Sequence, residues 1–340
     1  MKKPTYRRIT AVLVSFLFNS YSLFSQPAVL DSFINKEFLR STIEFLASDS
    51  LKGRFTGSPE ANKAANFIAD EFRKAGMKAP DSSGKYLVPF SYFSYPVGNN
   101  VIGILPGSER PSELIFFSAH YDHIGTTAPN TYIKIGRRSP ENGRDSIYNG
   151  ANDNASGTAS LISLARYFAA AKTNKRTLIF VAFSGEELGL IGSSALAATL
   201  ADPGSVTCVI NLEMLGRGSS PFLTGSQLGD LRSILNKELA RIDVNQFKKN
   251  FFRAERYREQ NLFTRSDNYP FAKLKIPAHT IMVGSDQDFY YHTVEDEPST
   301  LNYRLIERVT RAIALAVMPI INGEITPKRI EAPRETTEPR

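Results

Sequence analysis

Apolar residues along this chain recur in two alternating rhythms. Runs at Tyr86–Phe93, Asn100–Leu105, Leu114–Ala119, Thr177–Phe183, Val206–Leu212 and His279–Val283 have the length and composition of strands. Between them, helical spacing predicts helices over Asp31–Ala47, Pro59–Lys74, Ala155–Ala171, Ile191–Leu200, Asp230–Ile242, Asp267–Leu274 and Asn302–Ile321. Pro59 suits a first helical turn, and Gly76 suits the residue just past a helix end. Leu114–Ala119 and Thr177–Phe183 are nearly unbroken apolar runs, as central strands covered on both faces should be. The alternation predicts a three-layer α/β sandwich, with helices on both faces of a mixed, mainly parallel sheet.

The ends of the chain read differently. Lys2, Lys3, Arg7 and Arg8 precede an apolar run from Ile9 to Phe24, and Ser25-Gln26-Pro27-Ala28 offers small residues for cleavage. Residues 1–26 therefore read as a secretory signal peptide, which predicts export to the periplasm or the medium. Asn19, Ser20 and Ser22 interrupt the run before it reaches the ~20 residues of a membrane span, so no stable membrane insertion is expected after cleavage. A single domain is expected over residues 27–325. From Thr326 onward Pro, Glu, Arg and Thr dominate, and a flexible tail over 326–340 is expected. The stretch Thr126–Tyr148 has no periodicity and reads as a surface insertion.

Composition narrows the function. The 340 residues carry a formal charge of +7, which falls to +3 once the four basic residues of the signal are removed. No basic stripe with interleaved aromatics appears, so nucleic-acid binding has no support. Cys208, the single cysteine, lies in an apolar strand and reads as a small buried hydrophobe.

Five islands carry the chemistry. They are His120 and Asp122 in HYDHIG, Asp153 in GANDNASG, Glu186-Glu187 in FSGEELGLIGS, Glu213 in INLEMLGR, and His292 in YYHTVEDEP. Each follows a predicted strand or sits in the loop beyond one, where open α/β sheets place ligand sites. Bunched carboxylates and imidazoles are costly to hold together without a cation. Two histidines, one shareable carboxylate, two further acids and a spare glutamate form the inventory of a two-metal hydrolase. Taken singly the islands say less: Asp153 could cap a helix, and Glu186-Glu187 could be a solvated helix start.

HYDHIG, GANDNASGTA, EELGLIGS, NLEMLGR and YHTVEDEP, in this order, resemble the zinc aminopeptidases of metallopeptidase family 28, of the bacterial leucyl-aminopeptidase type. The resemblance runs from about Leu46 to Ile320. It implies two zinc ions per chain, bridged by Asp153, with His120 and Glu213 completing one and Glu187 and His292 the other. It further implies Glu186 as general base, Asp122 as support for His120, and peptides as substrates. Ser266-Asp267-Asn268 resembles a family segment near the substrate pocket, with Asn268 in place of the usual histidine, so Ser266 and Asp267 are expected on the substrate side. Glu213 stands where the family more often has aspartate. A hydroxyl that stabilises the oxyanion is open among Tyr257, Tyr269, Tyr290 and Tyr291, with Tyr291 taken as a substrate contact. Two other functions share the fold: a single-zinc glutaminyl cyclase, whose pocket typically uses tryptophans this chain lacks, and an inactive binding homologue.

Overall fold

The computed structural model describes residues 29–92, 95–127, 145–243, 247, 250–285 and 287–331. The segment read as a signal peptide, most of the stretch read as an insertion and residues 332–340 lie outside them. An eight-stranded sheet runs through the molecule in the order β1-β2-β4-β3-β5-β8-β6-β7. Its strands are β1 (Leu87–Tyr92), β2 (Tyr95–Leu105), β3 (Arg110–His120), β4 (Arg176–Phe183), β5 (Val206–Glu213), β6 (Phe222–Leu223), β7 (Arg253–Ala254) and β8 (Ala278–Met282). The central strands β4, β3, β5 and β8 are parallel neighbours. Antiparallel pairing of β2 with β4 and of β6 with β8 makes the sheet mixed.

Side chains alternate between two cores. Ile115, Phe117 and Ala119 face one side with Leu178, Phe180, Cys208 and Ile210. Among the described residues, the longer helices covering that face are α1 (Lys36–Leu46), α2 (Pro59–Lys74), α3 (Gly157–Ala171), α5 (Leu231–Ile242) and α6 (Tyr303–Ala316). Phe116, Ile179, Val181, Phe183 and Val209 face the other side, against α4 (Ile191–Ala198) and the single turn Tyr269–Ala272. In the first core the Phe117 and Phe180 rings stack 5.2 Å apart. Burial of the Cys208 thiol pushes its pKa up to about 12, so it is a protonated core atom.

Several expected elements shift for local reasons. Asp31–Ala47 is interrupted, because the Asn35 side chain accepts from Phe38 N at 2.9 Å and caps a new helix, α1. Asn302–Ile321 divides near Pro319, which has no N–H to continue the ladder. The two-residue strands β6 and β7 are too short to leave a period in the sequence. Thr326 onward was expected to fray, but its first residues pack. The buried Arg176 guanidinium donates to Ile320 O, Ile325 O and Thr326 Oγ1, and Ile330 enters the second core.

Candidate metal centre

His120 closes β3, Glu213 closes β5, the Glu186-Glu187 loop follows β4, and His292 lies in the loop after β8. Parallel neighbours open their carboxyl ends on one rim, so four separate chain segments meet there. Asp153 enters from the irregular turn Ala151–Ser156 that precedes α3.

The donor atoms converge. His120 Nε2 is 3.3 Å from Asp153 Oδ1, while His292 Nε2 is 3.1 Å from Asp153 Oδ2 and 3.2 Å from Glu187 Oε2. Donors of His120, Asp153 and Glu213 lie within 4.8 Å of one another, as do those of His123, Asp153, Glu187 and His292. The two sets share Asp153. A third grouping puts Glu186 beside His120 and Glu187. His120 Nε2 and His292 Nε2 are buried with no hydrogen-bond geometry to anything. Ring nitrogens that face carboxylate oxygens without hydrogen-bonding them are disposed as ligands, and this mixture of N and O donors suits zinc. The residues present therefore fit the metal that the resemblance implies. Glu213, despite its extra methylene, presents a carboxylate oxygen within the first donor set.

Electrostatics mark the same place. Burial opposes charge on His292, yet Glu187 and Asp153 raise its pKa to about 11. Burial likewise opposes charge on Glu187, but His292 outweighs it and holds the carboxyl at about 2. Burial pushes Glu213 up to about 7 and Glu186 well above the ordinary carboxylate range. Without a metal, protonated histidines supply the positive charge that these acids need.

Loops hold the donors from behind. The Asp296 carboxylate accepts from Asn152 N at 2.9 Å and Asp153 N at 3.1 Å, and Arg217 pairs with it at 2.8 Å. Asn154 ties the turn to the end of β5 by donating to Leu212 O and accepting from Met214 N. The fully buried Arg54 donates to the carbonyls of Leu46, Tyr121, Asn149 and Gly150. Gly150 has a left-handed φ of 58°, and a Cβ there would come within 2.6 Å of the His123 ring.

The expected residues fall into place unevenly. Asp122 lies beside His120: its main-chain carbonyl is 3.2 Å and its Oδ1 3.7 Å from His120 Nδ1, while its Oδ2 accepts from Thr56 Oγ1 at 2.7 Å. Ser266 and Asp267, expected on the substrate side, are buried and do not line the donor cavity. Ser266 Oγ donates to Glu213 Oε2 and accepts from Asn211 Nδ2, and Asp267 is fully buried. The cavity at the donors is instead walled by Met214, Leu262, Arg265, Met282 and Tyr291 together with Asp153, Glu186 and Glu213. Of the four candidate tyrosines, Tyr291 is the one lining it, stacked on His292 at 3.9 Å. His123 was missed altogether. Its Nδ1 is 2.7 Å from Glu187 Oε1, and because the carboxylate only accepts, the imidazole is the donor.

Comparison with known proteins bears on this geometry. The model of peptidase family M28 matches residues 100–317. The chain belongs to that family. A probable zinc metalloprotease of Pyrenophora teres f. teres is 30% identical over 203 residues, covering 55% of this chain and 40% of that relative. Aminopeptidase YwaD of Bacillus subtilis is 24% identical over 252 residues, 70% of this chain and 48% of its own length. The matched segments thus span less than half of these curated relatives. Among solved structures, the LapA aminopeptidase of Legionella pneumophila superposes with a TM-score of 0.64 at 19% identity, over 95% of this chain and 78% of that one. The glutaminyl cyclase of Porphyromonas gingivalis gives 0.65 at 16% identity, over 83% and 97%. Both likenesses establish the zinc-exopeptidase fold of this M28 chain and do not choose between the two chemistries.

Proposed function

We propose that this chain is an exported di-zinc aminopeptidase that removes N-terminal residues from peptides. The observation that carries the reading is the pair of donor sets sharing Asp153, with Glu186 beside them in a cavity. His120 and Glu213 would complete one zinc site, and Glu187 and His292 the other. Zinc bound there would polarise the scissile carbonyl and acidify an attacking water. Glu186 takes the water proton and returns it to the leaving amine. Burial, with Glu187, Glu213 and Asp267 close by, raises its pKa well above the ordinary carboxylate range, so neighbouring positive charge is what makes it a base. Tyr291 donates its hydroxyl to the developing oxyanion, since burial and then Asp153 and Glu187 hold its pKa well above the ordinary value. The free α-amine of the substrate suits the acidic end of the cavity, where Asp153, Glu186 and Glu213 outnumber Arg265.

Glu186→Gln tests the core of this reading. It should keep its zinc while losing about 10²–10⁴-fold in turnover of an aminoacyl anilide. Near-normal turnover with verified zinc content would remove Glu186 from the mechanism. One zinc per chain, with ammonia released from an N-terminal glutamine peptide and no anilide cleavage, would favour the cyclase chemistry. Protein that takes up no zinc would be a binding homologue. Export rests on the basic and apolar pattern of residues 1–26, and N-terminal sequencing of protein from the periplasm or medium checks it. Among the described residues no helix is long and apolar enough to cross a membrane.

A further inference from the structure

The loop that carries Glu186 leaves β4 with three successive main-chain amides, and a side chain from a different part of the chain takes each of them. Ser184 N donates to Asn100 Oδ1 of β2 at 3.3 Å, Gly185 N to Thr56 Oγ1 at 3.1 Å, and Glu186 N to Asp122 Oδ1 at 3.4 Å. Gly185 turns the chain with a left-handed φ of 79°, so the strand ladder stops and side chains replace it. Thr56 joins two of these contacts. A main-chain N–H only donates, so the Thr56 oxygen accepts from Gly185 and its single hydrogen goes to Asp122 Oδ2, 2.7 Å away. The other oxygen of Asp122 faces Glu186 N and lies 3.7 Å from His120 Nδ1. One hydroxyl therefore links the loop of Glu186 to the carboxylate beside a donor histidine. The contact to Thr56 lies within the ordinary hydrogen-bond range, whereas the one from Glu186 N to Asp122 is long, so Thr56 has the firmer hold on the loop.

Thr56 is itself fixed in place. It is buried, and the loop around it is bound on both sides. Phe55 bridges to His123, His123 N donates to Arg54 O at 3.3 Å, and Arg54 Nε donates to Tyr121 O. Ser58 N donates to Phe55 O at 2.9 Å. A Cβ on Gly57 would come within 2.5 Å of Val97 O, so the loop also runs tight against β2. A hydroxyl anchored in this way sets the position of the Glu186 loop rather than following it. Position matters at a general base, because a misplacement of about 1 Å costs on the order of 10²-fold in rate.

We propose that Thr56 is a positioning residue for the reaction, holding Glu186 where it can exchange a proton with the attacking water. This rests on the reading of Glu186 as general base. Thr56→Val keeps the branched shape and removes both hydrogen bonds, while Thr56→Ser keeps the hydroxyl. On an aminoacyl anilide, zinc-loaded Thr56→Val should lose about 10–100-fold in kcat, with KM within about twofold of wild type and zinc content unchanged. Thr56→Ser should return kcat to within about threefold of wild type. In metal-free protein, hydrogen exchange at Gly185 should be about two- to tenfold faster in Thr56→Val, as the loss of one hydrogen bond requires. On a Glu186→Gln background, Thr56→Val should cost nothing further, because a residue that acts through the base has no effect once the base is gone. If Thr56→Val does not fold, Thr56→Cys, whose thiol bonds only weakly, is judged by the same outcomes. With Glu186→Gln inactive, three results overturn the role of Thr56 alone: wild-type kcat in Thr56→Val, a loss that Thr56→Ser does not restore, or a full additional loss on the Glu186→Gln background. Near-normal turnover in Glu186→Gln overturns the base reading and the role of Thr56 with it.

Discussion

His123 occupies one carboxylate oxygen of Glu187 and leaves the other turned toward His292. A buried partner of this kind fixes how many oxygens a ligand offers and raises the order of the site. His123→Ala should therefore weaken zinc binding at the Glu187–His292 position by about 10–100-fold, with the other position little affected. His123→Asn, which keeps a donor, should recover part of the loss. Metal analysis during stepwise chelation checks this, and release curves identical to wild type would make His123 a packing residue only. The reason the sequence hides His123 is geometric. His120 and Asp122 stand at the end of a strand with a legible period, but one residue later the period stops, and nothing in HYDHIG says which way the next imidazole turns. The same limit applies to Ser266, held inward by Asn211, a residue far away in the chain. Glu186, Glu187 and Glu213 could be read because acids rarely end or follow apolar strands without a task, whereas Asp153 and His292 stand in irregular segments and were legible only within GANDNASG and YYHTVEDEP.

Elements rather than single residues give the centre its rigidity. The turn carrying Asp153 has its amides bonded to Asp296, and Arg217 joins Asp296 to Asp288. Asp296→Ala would strand a largely buried guanidinium and release two amides. The expected cost is about 3 kcal/mol in denaturant unfolding, together with a rise in KM for zinc-loaded enzyme. An unchanged unfolding midpoint would show that Asp288 alone satisfies Arg217. Central strands were legible as unbroken apolar runs because burial on both faces removes polar residues from them. β6 and β7 were not, although β6 joins β7 to β8. Two residues contain no repeat to detect, and only the pairing partner defines them as strands.

At the scale of the molecule, metal and pH act on one balance. Burial holds Glu213 and Asp267 at about 7 in the metal-free fold, against ordinary values of 4.5 and 3.8. Above those ordinary values the unfolded chain gives up its protons first, so the metal-free fold loses stability as pH rises toward 7. His292, at about 11 against 6.5, acts in the same direction: its contribution is complete below pH 6.5 and is lost as pH climbs toward 11. Glu187, at about 2, contributes fully above pH 4.5 and matters only in acid. For Glu213 alone the effect is on the order of 3 kcal/mol. Chelated protein should thus melt at a lower temperature near about pH 8 than near about pH 5.5. Zinc should raise the melting temperature more at the higher pH, because its ligands bind deprotonated. Calorimetry with and without chelator checks both, and a chelated form that gains stability toward alkaline pH would contradict the assignment.

The packed segment after Ile325 also gives the molecule two poles. Thr326 is held at Arg176, the first residue of β4, and Arg329 bonds to Pro203 and Gly204 just before β5. The donors sit at the far ends of those same strands. Eight residues of β4 place roughly 25 Å of sheet between them. Anything joined beyond residue 331, whether a further domain or an artificial tether, would leave from the pole opposite the cavity, so the enzyme could be fastened to a surface with its mouth facing away from it.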